Sequence, residues 1–240
     1  MIKSTVTQFH SFKIKLAAFA SIAILGTSCL NDIDTPVSTP AAYVSIYQSS
    51  PDAPDMEIFA DANRVTSQPL GFSEFIAYSP FFTGERLFRF LNSLNGGTLL
   101  EKNFQLEVDE IYSVFVLDHA TSLDAKLVKD GWEDPKADFA QIRFAHLSPD
   151  AGEVYVEFSE LETPISPNTV FKDVTGFIEV ETGTYDILIK SVENGETIME
   201  ISEVEIREKN VYTLLLRGLY EEPSNPNSLD LQLITNYFDL

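Results

Sequence analysis

The feature that most constrains this chain is a four-residue segment, Ser-Pro-Asp-Ala, which occurs at residues 50–53 and again at residues 148–151. Each copy follows one strand-like run of residues and precedes another. The aspartates of the two copies, Asp52 and Asp150, are 98 residues apart, which is about the length of one domain. Self-similarity at this spacing predicts a duplicated module.

The similarity continues through the rest of both copies. Residues 83–84 and 182–183 are both Thr-Gly, and residues 111–114 (Ile-Tyr-Ser-Val) match residues 211–214 (Val-Tyr-Thr-Leu). The spacing drifts from 98 to 100 residues, as expected when loops vary in length and strands stay in step. Short strand-like runs separated by turn residues, with no sustained helical period, predict an all-β chain of two tandem β-sandwich modules.

Alternation of apolar and polar residues predicts which side chains face each core. The predicted inward sets are Val44, Ile46, Gln48, Met56, Ile58 and Ala60 in the first copy, and Ile142, Phe144, His146, Val154, Val156 and Phe158 in the second. Further strands of the first copy are predicted near residues 72–75, 76–82, 87–91, 98–106, 111–117 and 123–129.

Residues 1–28 have the pattern of a secretory signal peptide. They contain three lysines, all of which precede an apolar run at residues 16–25, and no acidic residue. A run of ten residues, of which all but Ser21 are apolar, is too short to span a bilayer; the alternative is a short buried N-terminal helix. Cys29 is the only cysteine of the sequence and follows this segment directly. A lone cysteine at this place predicts a lipidated N-terminus.

Residues 25–29, Leu-Gly-Thr-Ser-Cys, resemble the lipobox of bacterial lipoproteins, with the leucine one place earlier than usual. Acyl chains on Cys29 would hold the protein on a membrane, because each buried CH₂ group contributes about 0.8 kcal/mol. Residues 31–34, Asn-Asp-Ile-Asp, resemble the tract that sends some lipoproteins to the outer face of the outer membrane. We therefore expect a lipid-anchored protein at the outer membrane or cell surface of a Gram-negative bacterium.

The predicted organisation is a signal peptide at 1–28, a lipidated tether at 29–40, β-sandwich modules at 41–130 and 139–240, and a linker at 131–138. The linker contains Trp132, the only tryptophan. We expect Trp132 to wedge between the modules and fix their angle; an exposed platform for stacking a ligand is the alternative.

The net charge argues against nucleic acid and anionic membrane surfaces as partners. The formal charge is −21, and loss of three lysines with the signal peptide would lower it to −24. So acidic a surface argues against nucleic acid and against docking to anionic headgroups. The simplest interpretation of the acidic surface is that it keeps the protein soluble on a crowded cell exterior. The alternative is that clustered acidic residues bind divalent cations.

The second copy carries a recognisable pattern: His-x-Ser-Pro-Asp-Ala at 146–151, Thr-Gly-Thr-Tyr at 182–185 and Tyr-Thr at 212–213. This resembles the domain-of-unknown-function 4397 family, and the resemblance extends over residues 41–240. It implies tandem immunoglobulin-like or transthyretin-like sandwiches in a secreted bacterial protein, and no established activity. The first copy departs from the pattern at Gln48, Glu85, Arg86 and Ser113.

The repeated turn is the main candidate site, formed by Ser50, Pro51 and Asp52 and by Ser148, Pro149 and Asp150. Proline fixes the turn, and the serine and aspartate can accept hydrogen bonds from backbone N–H groups, so we predict a structural brace. The alternative adds Asp55 and Glu153 as calcium ligands, without the spacing of a known calcium loop.

Other candidates also favour structure over catalysis. His146 is expected to be buried and hydrogen-bonded rather than a base for Ser148, because the first copy has Gln48 in its place. Tyr112 and Tyr212 resemble the tyrosine corner of Greek-key sandwiches. No catalytic, phosphate-binding or zinc motif is present in the sequence, so we expect no cofactor, no metal site and no catalytic residue.

These observations predict a non-enzymatic lipoprotein of the cell envelope that acts in binding or scaffolding. Its expected partners are the membrane, through the N-terminal lipid, and an envelope protein or glycan. A carbohydrate-binding accessory of a nutrient-uptake system is the alternative, and a hydrolase the third possibility.

Overall fold

The computed structural model describes residues 39–238. The predicted signal peptide, Cys29 and nearly all of the predicted tether lie outside the described residues. Residues 39–238 form strands and one 3₁₀ turn, Ala120–Ser122, with no α-helix, which confirms the all-β prediction. Within this range no helical segment has the length and apolarity needed to cross a bilayer.

The strands follow the predicted runs closely. Their bounds are β1 Ala41–Gln48, β2 Met56–Ala60, β3 Asn63–Arg64, β4 Phe75–Phe82, β5 Gly84–Asn92, β6 Thr98–Leu106, β7 Ile111–Leu117, β8 Asp124–Asp130, β9 Phe139–His146, β10 Val154–Phe158, β11 Ile178–Glu181, β12 Gly183–Ser191, β13 Thr197–Ile206, β14 Asn210–Arg217 and β15 Asp230–Phe238. The strand predicted at 72–75 is wrong, because residues 72–73 form a turn and β4 begins only at Phe75, opposite Tyr47 of β1.

The first eight strands form two facing sheets. One sheet has the order β4-β1-β7-β8 and the other β3-β2-β5-β6. The pair β1–β7 is parallel, and the other pairs are antiparallel. Their inner faces share one apolar core that includes Val44, Ile58, Phe88 and Val114. These strands are the first sandwich.

Strands β9 to β15 repeat this arrangement except for β3, which has no counterpart among the strands of the described residues. The sheet β11-β9-β14-β15 corresponds to β4-β1-β7-β8, and β10-β12-β13 corresponds to β2-β5-β6. The central pair, β9–β14, is again parallel. Its core contains Phe144, Val156, Ile187 and Leu214. These strands are the second sandwich. All twelve side chains predicted to face inward are buried, so the period of two identified both cores.

The two sandwiches pack against each other through the sheets that contain β1 and β9. A third apolar cluster joins Tyr47 and Phe115 of the first sandwich to Leu147, Leu215 and Ile234 of the second. Strands β7 and β14 are therefore buried on both faces, which explains their nearly continuous apolar sequences. Spatial contacts group the described residues, 39–238, as one compact unit.

A buried ion pair lies within this interface. Arg143 of β9 binds Asp130 at the end of β8, and the two side chains are 1% and 0% exposed. The Arg143 guanidinium also donates to Ser113 Oγ (2.7 Å) and Thr213 Oγ1 (2.9 Å), and it stacks on Phe177 at 4.6 Å from the ring centre. Since burial of charge is costly, a pair like this persists only when further hydrogen bonds satisfy it.

Hydroxyl and amide groups complete the network. Tyr78 donates to Asp130 Oδ2 at 2.6 Å, and burial raises the pKa of Tyr78, which keeps its hydroxyl protonated as a donor. Asn236 Nδ2 donates to Tyr47 (2.8 Å) and Tyr78 (3.0 Å), and Thr213 donates to Asn236 Oδ1 (2.5 Å). Both sandwiches contribute to one polar network.

Trp132 lies at the edge of this interface and is half-buried. Its ring contacts Tyr78 of the first sandwich at 6.0 Å, and Phe177 and Tyr237 of the second at 5.6 and 6.4 Å. The indole thus touches both sandwiches, as expected of a wedge; that it fixes their angle stays a prediction.

Candidate binding cleft

The aspartates of the repeated turn bind the same loop in each sandwich. Asp52 Oδ1 accepts the Ala120 N–H (2.7 Å), and its Oδ2 lies 3.2 Å from His119 Nδ1. Asp150 accepts the N–H groups of Tyr220 (2.8 Å) and Glu221 (3.0 Å). The donors belong to the loop after β7 or β14, about 70 positions along the chain, and not to the turn itself. Each carboxylate therefore links two loops.

The serines and prolines of the turn have different surroundings in the two copies. Ser148 Oγ donates to Asp150 (3.1 Å) rather than accepting an N–H group. The buried Ser50 Oγ has no partner among the described residues. Pro51 accepts a hydrogen bond from Asn227 Nδ2 of the second sandwich (2.6 Å), and Pro149 is half-buried. The role of these residues as a structural brace remains a prediction.

His146 lies in the core and not beside a nucleophile. It is fully buried, and its Nε2 lies 2.7 Å from the carbonyl oxygen of Gly152. Burial lowers the pKa of His146, so the ring is neutral near pH 7 and Nε2 donates to that carbonyl. Ser148 bonds Asp150 instead. His146 and Ser148 therefore do not form a pair of catalytic base and nucleophile.

The acids proposed as calcium ligands do not gather around one point. Within residues 39–238, no three His, Cys, Asp or Glu side chains are placed to share a metal ion. Tyr112 and Tyr212 do form matched tyrosine corners: their hydroxyls each accept the N–H group five residues upstream, of Glu107 and Arg207, at 3.2 Å. This confirms the structural interpretation of both tyrosines.

A cleft opens at one end of the first sandwich, between edge strands β3 and β4. Its volume is about 460 Å³. The lining consists of Thr39, Pro40, Ala41, Ala60, Asp61, Asn63, Arg64, Val65, Ser79, Pro80, Phe81, Phe82 and Arg86. Most of these side chains are apolar, with two arginines, one acid and one amide among them. This mixture of an apolar surface with a few polar groups is typical of ligand sites.

An ion pair holds the polar side of the cleft in place. Arg86 Nη1 donates to Asp61 Oδ2 (2.9 Å), and the N–H of Leu87 donates to Asp61 Oδ1 (3.0 Å). These two hydrogen bonds hold the pKa of Asp61 below its usual range. Arg86 also donates to the carbonyls of Phe82 and Thr83. The β4–β5 turn is thereby tied to the pair.

The same end of the second sandwich is packed with aromatic rings. Strands β2 and β10 have equal lengths, as do β5 and β12, so Ala60 corresponds to Phe158 and Arg86 to Tyr185. The rings of Phe158 and Tyr185 lie 5.3 Å apart and are 2% and 8% exposed. The Tyr185 hydroxyl donates to the carbonyl of Glu181 (3.0 Å). The cleft exists where the first sandwich lacks this pair of rings.

The sequence alone does not predict the cleft, although it contains one signal of it. Arg86 stands where the Thr-Gly-Thr-Tyr pattern of the second copy has tyrosine. The complementary change at Ala60 is not adjacent in sequence, and only the fold shows that the two positions share one space.

Several solved structures are similar to this chain at low scores. A streptococcal virulence factor that binds alpha-glucan is 9% identical, with 72% of this chain and 92% of that chain covered and a TM-score of 0.25. CBMbc, of family CBM26, from Eubacterium rectale Amy13K in complex with maltoheptaose, is 13% identical, with 83% and 98% covered and a TM-score of 0.26.

A candidate adhesin from Bacteroides ovatus is 8% identical, with 81% and 93% covered and a TM-score of 0.23. Likenesses this weak support no statement about ligand or mechanism. Among curated proteins, none matches the chain.

A family model matches part of the chain. Residues 42–157 match the model of the domain of unknown function DUF4397. This stretch covers all eight strands of the first sandwich, apart from the first residue of β1, and continues to β10. It includes both copies of the Ser-Pro-Asp-Ala turn. Residues 42–157, which are 116 of the 240 residues, are therefore similar to the DUF4397 family.

Proposed function

We propose that this protein is a non-enzymatic binding protein of the cell envelope, and that the cleft of the first sandwich is its ligand site. One observation carries the proposal: Ala60 and Arg86 leave open the space that Phe158 and Tyr185 fill in the second sandwich. A volume of about 460 Å³ is within the range of known ligand sites, about 300–1,000 Å³. The second sandwich then serves as a support for the first.

Two sets of contacts favour binding over hydrolysis. His146 is neutral, buried and bonded to Gly152, so it is not available to a substrate at the surface. Asp61 is the one acid that lines the cleft, and Arg86 together with the Leu87 N–H keeps it ionised. A carboxylate held in this way is a poor proton donor near pH 7.

We also propose that Cys29 carries a lipid that anchors the protein at the outer membrane or cell surface. The support is the sequence pattern of residues 1–34. Cys29→Ala should release the protein from the membrane fraction or leave the precursor unprocessed. Mass spectrometry of the mature N-terminus checks this, and an unmodified Cys29 would refute the anchor.

The binding role can be tested without knowing the ligand. Ala60→Phe/Arg86→Tyr copies the residues of the second sandwich into the first and should close the cleft. A library of sugars, metabolites and polysaccharides is screened by thermal melting of both proteins. We expect some compound to raise the melting temperature of the wild type by mass action and to leave the double variant unchanged. If every stabilising compound acts equally on both proteins, the cleft is not the site.

A further inference from the structure

We propose that the cleft of the first sandwich takes a neutral sugar residue of a glycan. This inference rests on the proposed binding role of the same cleft, and it adds the chemical class of the ligand. It is carried by three features of the cleft: compensated charge, an exposed ring on an edge strand, and polar side chains with unused hydrogen-bonding groups.

The charges of the cleft cancel locally. Arg86 pairs with Asp61, and Arg64 pairs with Glu57 at 2.8 Å. A cationic ligand would therefore find no unpaired carboxylate among the lining residues. An anionic ligand would find no unpaired guanidinium, and it would also be repelled by a chain of net charge −21. Both observations favour an uncharged ligand.

Phe82 provides an apolar surface at the mouth of the cleft. Its side chain is 58% exposed, although it lies on β4 beside the buried core. Phe82 pairs with the first residue of β1. In the second sandwich, the residue that pairs with the first residue of β9 is Glu181. An exposed ring where the other copy has an acid indicates a contact surface rather than a folding requirement. The C–H face of a sugar ring can stack on it.

The opposite wall provides hydrogen-bonding groups. Among the described residues, the Asn63 side-chain amide makes no hydrogen bond, and Arg64 uses one of its three nitrogens, Nη2, to bind Glu57. An amide offers two donors and one acceptor, and a guanidinium offers five donors. A purely apolar ligand would remove these groups from water without replacing their hydrogen bonds, which is costly. Sugar hydroxyls both donate and accept, so they satisfy such groups.

The test uses the full mature chain and isothermal titration calorimetry. The probes are neutral oligosaccharides of gluco, manno, galacto and xylo configuration, an oligogalacturonate as the acidic sugar, and a lysine-rich peptide. The variants are Ala60→Phe/Arg86→Tyr, which closes the cleft, and Phe82→Glu, which replaces an exposed ring and should leave folding intact. Tyr185→Phe, in the second sandwich, is the matched control.

We expect at least one neutral oligosaccharide to bind the wild type and the Tyr185→Phe control equally. Binding should weaken about tenfold in Phe82→Glu and be lost when the cleft is closed. If only the acidic sugar or the peptide binds, and closing the cleft abolishes it, the sugar assignment is wrong while the binding role stands. If a neutral sugar binds all four proteins equally, the cleft itself is refuted. If no probe binds, the proposal of a neutral sugar is overturned.

Discussion

The first sandwich has a small residue and a partly exposed ion pair at its open β3–β4 end, whereas two packed rings close the same end of the second. Much else agrees between the copies: the order of the sheet that contains β1 or β9, the parallel central strands and the tyrosine corners, although β3 has no counterpart among the strands of the second sandwich within residues 39–238. Even a detail next to the cleft is kept, since Asp61 accepts the N–H of Leu87 as Ser159 accepts that of Asp186. Ala60 and Arg86 differ from Phe158 and Tyr185, and the added strand β3 also lines the cleft.

The interface shows a second difference between the copies. Counted along the matched strands, Arg143 corresponds to Ser45, and Asp130 to Asn236. One copy thus supplies one arginine and the other supplies one aspartate. Two identical copies would bring like charges to the same buried place, which is unfavourable. The divergence of the copies therefore permits one neutral, fully bonded network.

The largest expected effect comes from breaking this network. Asp130→Ala leaves the Arg143 guanidinium buried and unpaired, so it should lower the free energy of unfolding by about 3–5 kcal/mol. Urea denaturation measures the change. The double variant Arg143→Ser/Asp130→Asn, which uses the residues of the opposite copy, should cost less than the two single changes added together. A loss below about 1 kcal/mol for Asp130→Ala would show that the pair does not hold the sandwiches together.

Exchanging Ala60 and Phe158, which occupy the same position in the two sandwiches, should change the free energy of unfolding unequally. Phe158→Ala removes a ring from a closed core and should cost about 3–4 kcal/mol. Ala60→Phe places a ring into the open cleft and should change stability by less than about 1 kcal/mol, because overpacking is costly only where space is lacking. Equal losses for both changes in urea denaturation would contradict the difference between the ends.

The turn aspartates should respond differently to amide substitution. Asp150 accepts a backbone N–H on each of its oxygens, so Asp150→Asn replaces one acceptor by a donor and should cost about 1 kcal/mol. Asp52 accepts only one backbone N–H, and Asp52→Asn should cost less than about 0.5 kcal/mol. Each change to alanine should cost about 1–2 kcal/mol.

Thermal melts with calcium and with chelator accompany these measurements. Because the contacts of both aspartates are with protein groups, we expect no dependence on calcium. A calcium-dependent rise in melting temperature that Asp150→Asn abolishes would restore the metal-site interpretation.

The smallest effect concerns pH. Burial lowers the pKa of His146 in the folded protein, whereas the unfolded chain has the ordinary value near 6.5. Below pH 6.5 the unfolded state binds more protons, so the stability is fully present above that pH and falls as the pH drops toward the folded pKa. His146→Gln, which copies Gln48, should flatten the stability curve between about pH 7 and pH 5. An unchanged slope would show that the pKa of His146 is the same in the folded and unfolded states.

The sequence was sufficient for the fold because both cores follow an alternating pattern that repeats at a fixed spacing. It was insufficient for the interface, since Ser45 and Tyr47 of β1 occupy the face that alternation assigns to solvent, and only packing of the second sandwich buries them. The turn was located correctly, but its hydrogen-bond donors lie in a distant loop, and no local pattern encodes that contact.

The cleft illustrates the same limit. Arg86 differs visibly from the tyrosine of the second copy. This difference alone does not predict a cavity, because the size of the facing residue must also be known. Ala60, 26 positions earlier, is unremarkable as a strand residue. Its significance comes from comparison with Phe158 in the folded protein.

The most direct test of the cleft is a nuclear magnetic resonance titration of the mature chain with the neutral oligosaccharide that binds most tightly in calorimetry. We expect backbone amide shifts to concentrate at residues 60–65 and 79–86, and to be absent at the corresponding residues 158–163 and 178–185. Shifts centred on the second sandwich, or spread evenly over both, would contradict the assignment of the ligand site to the open end of the first.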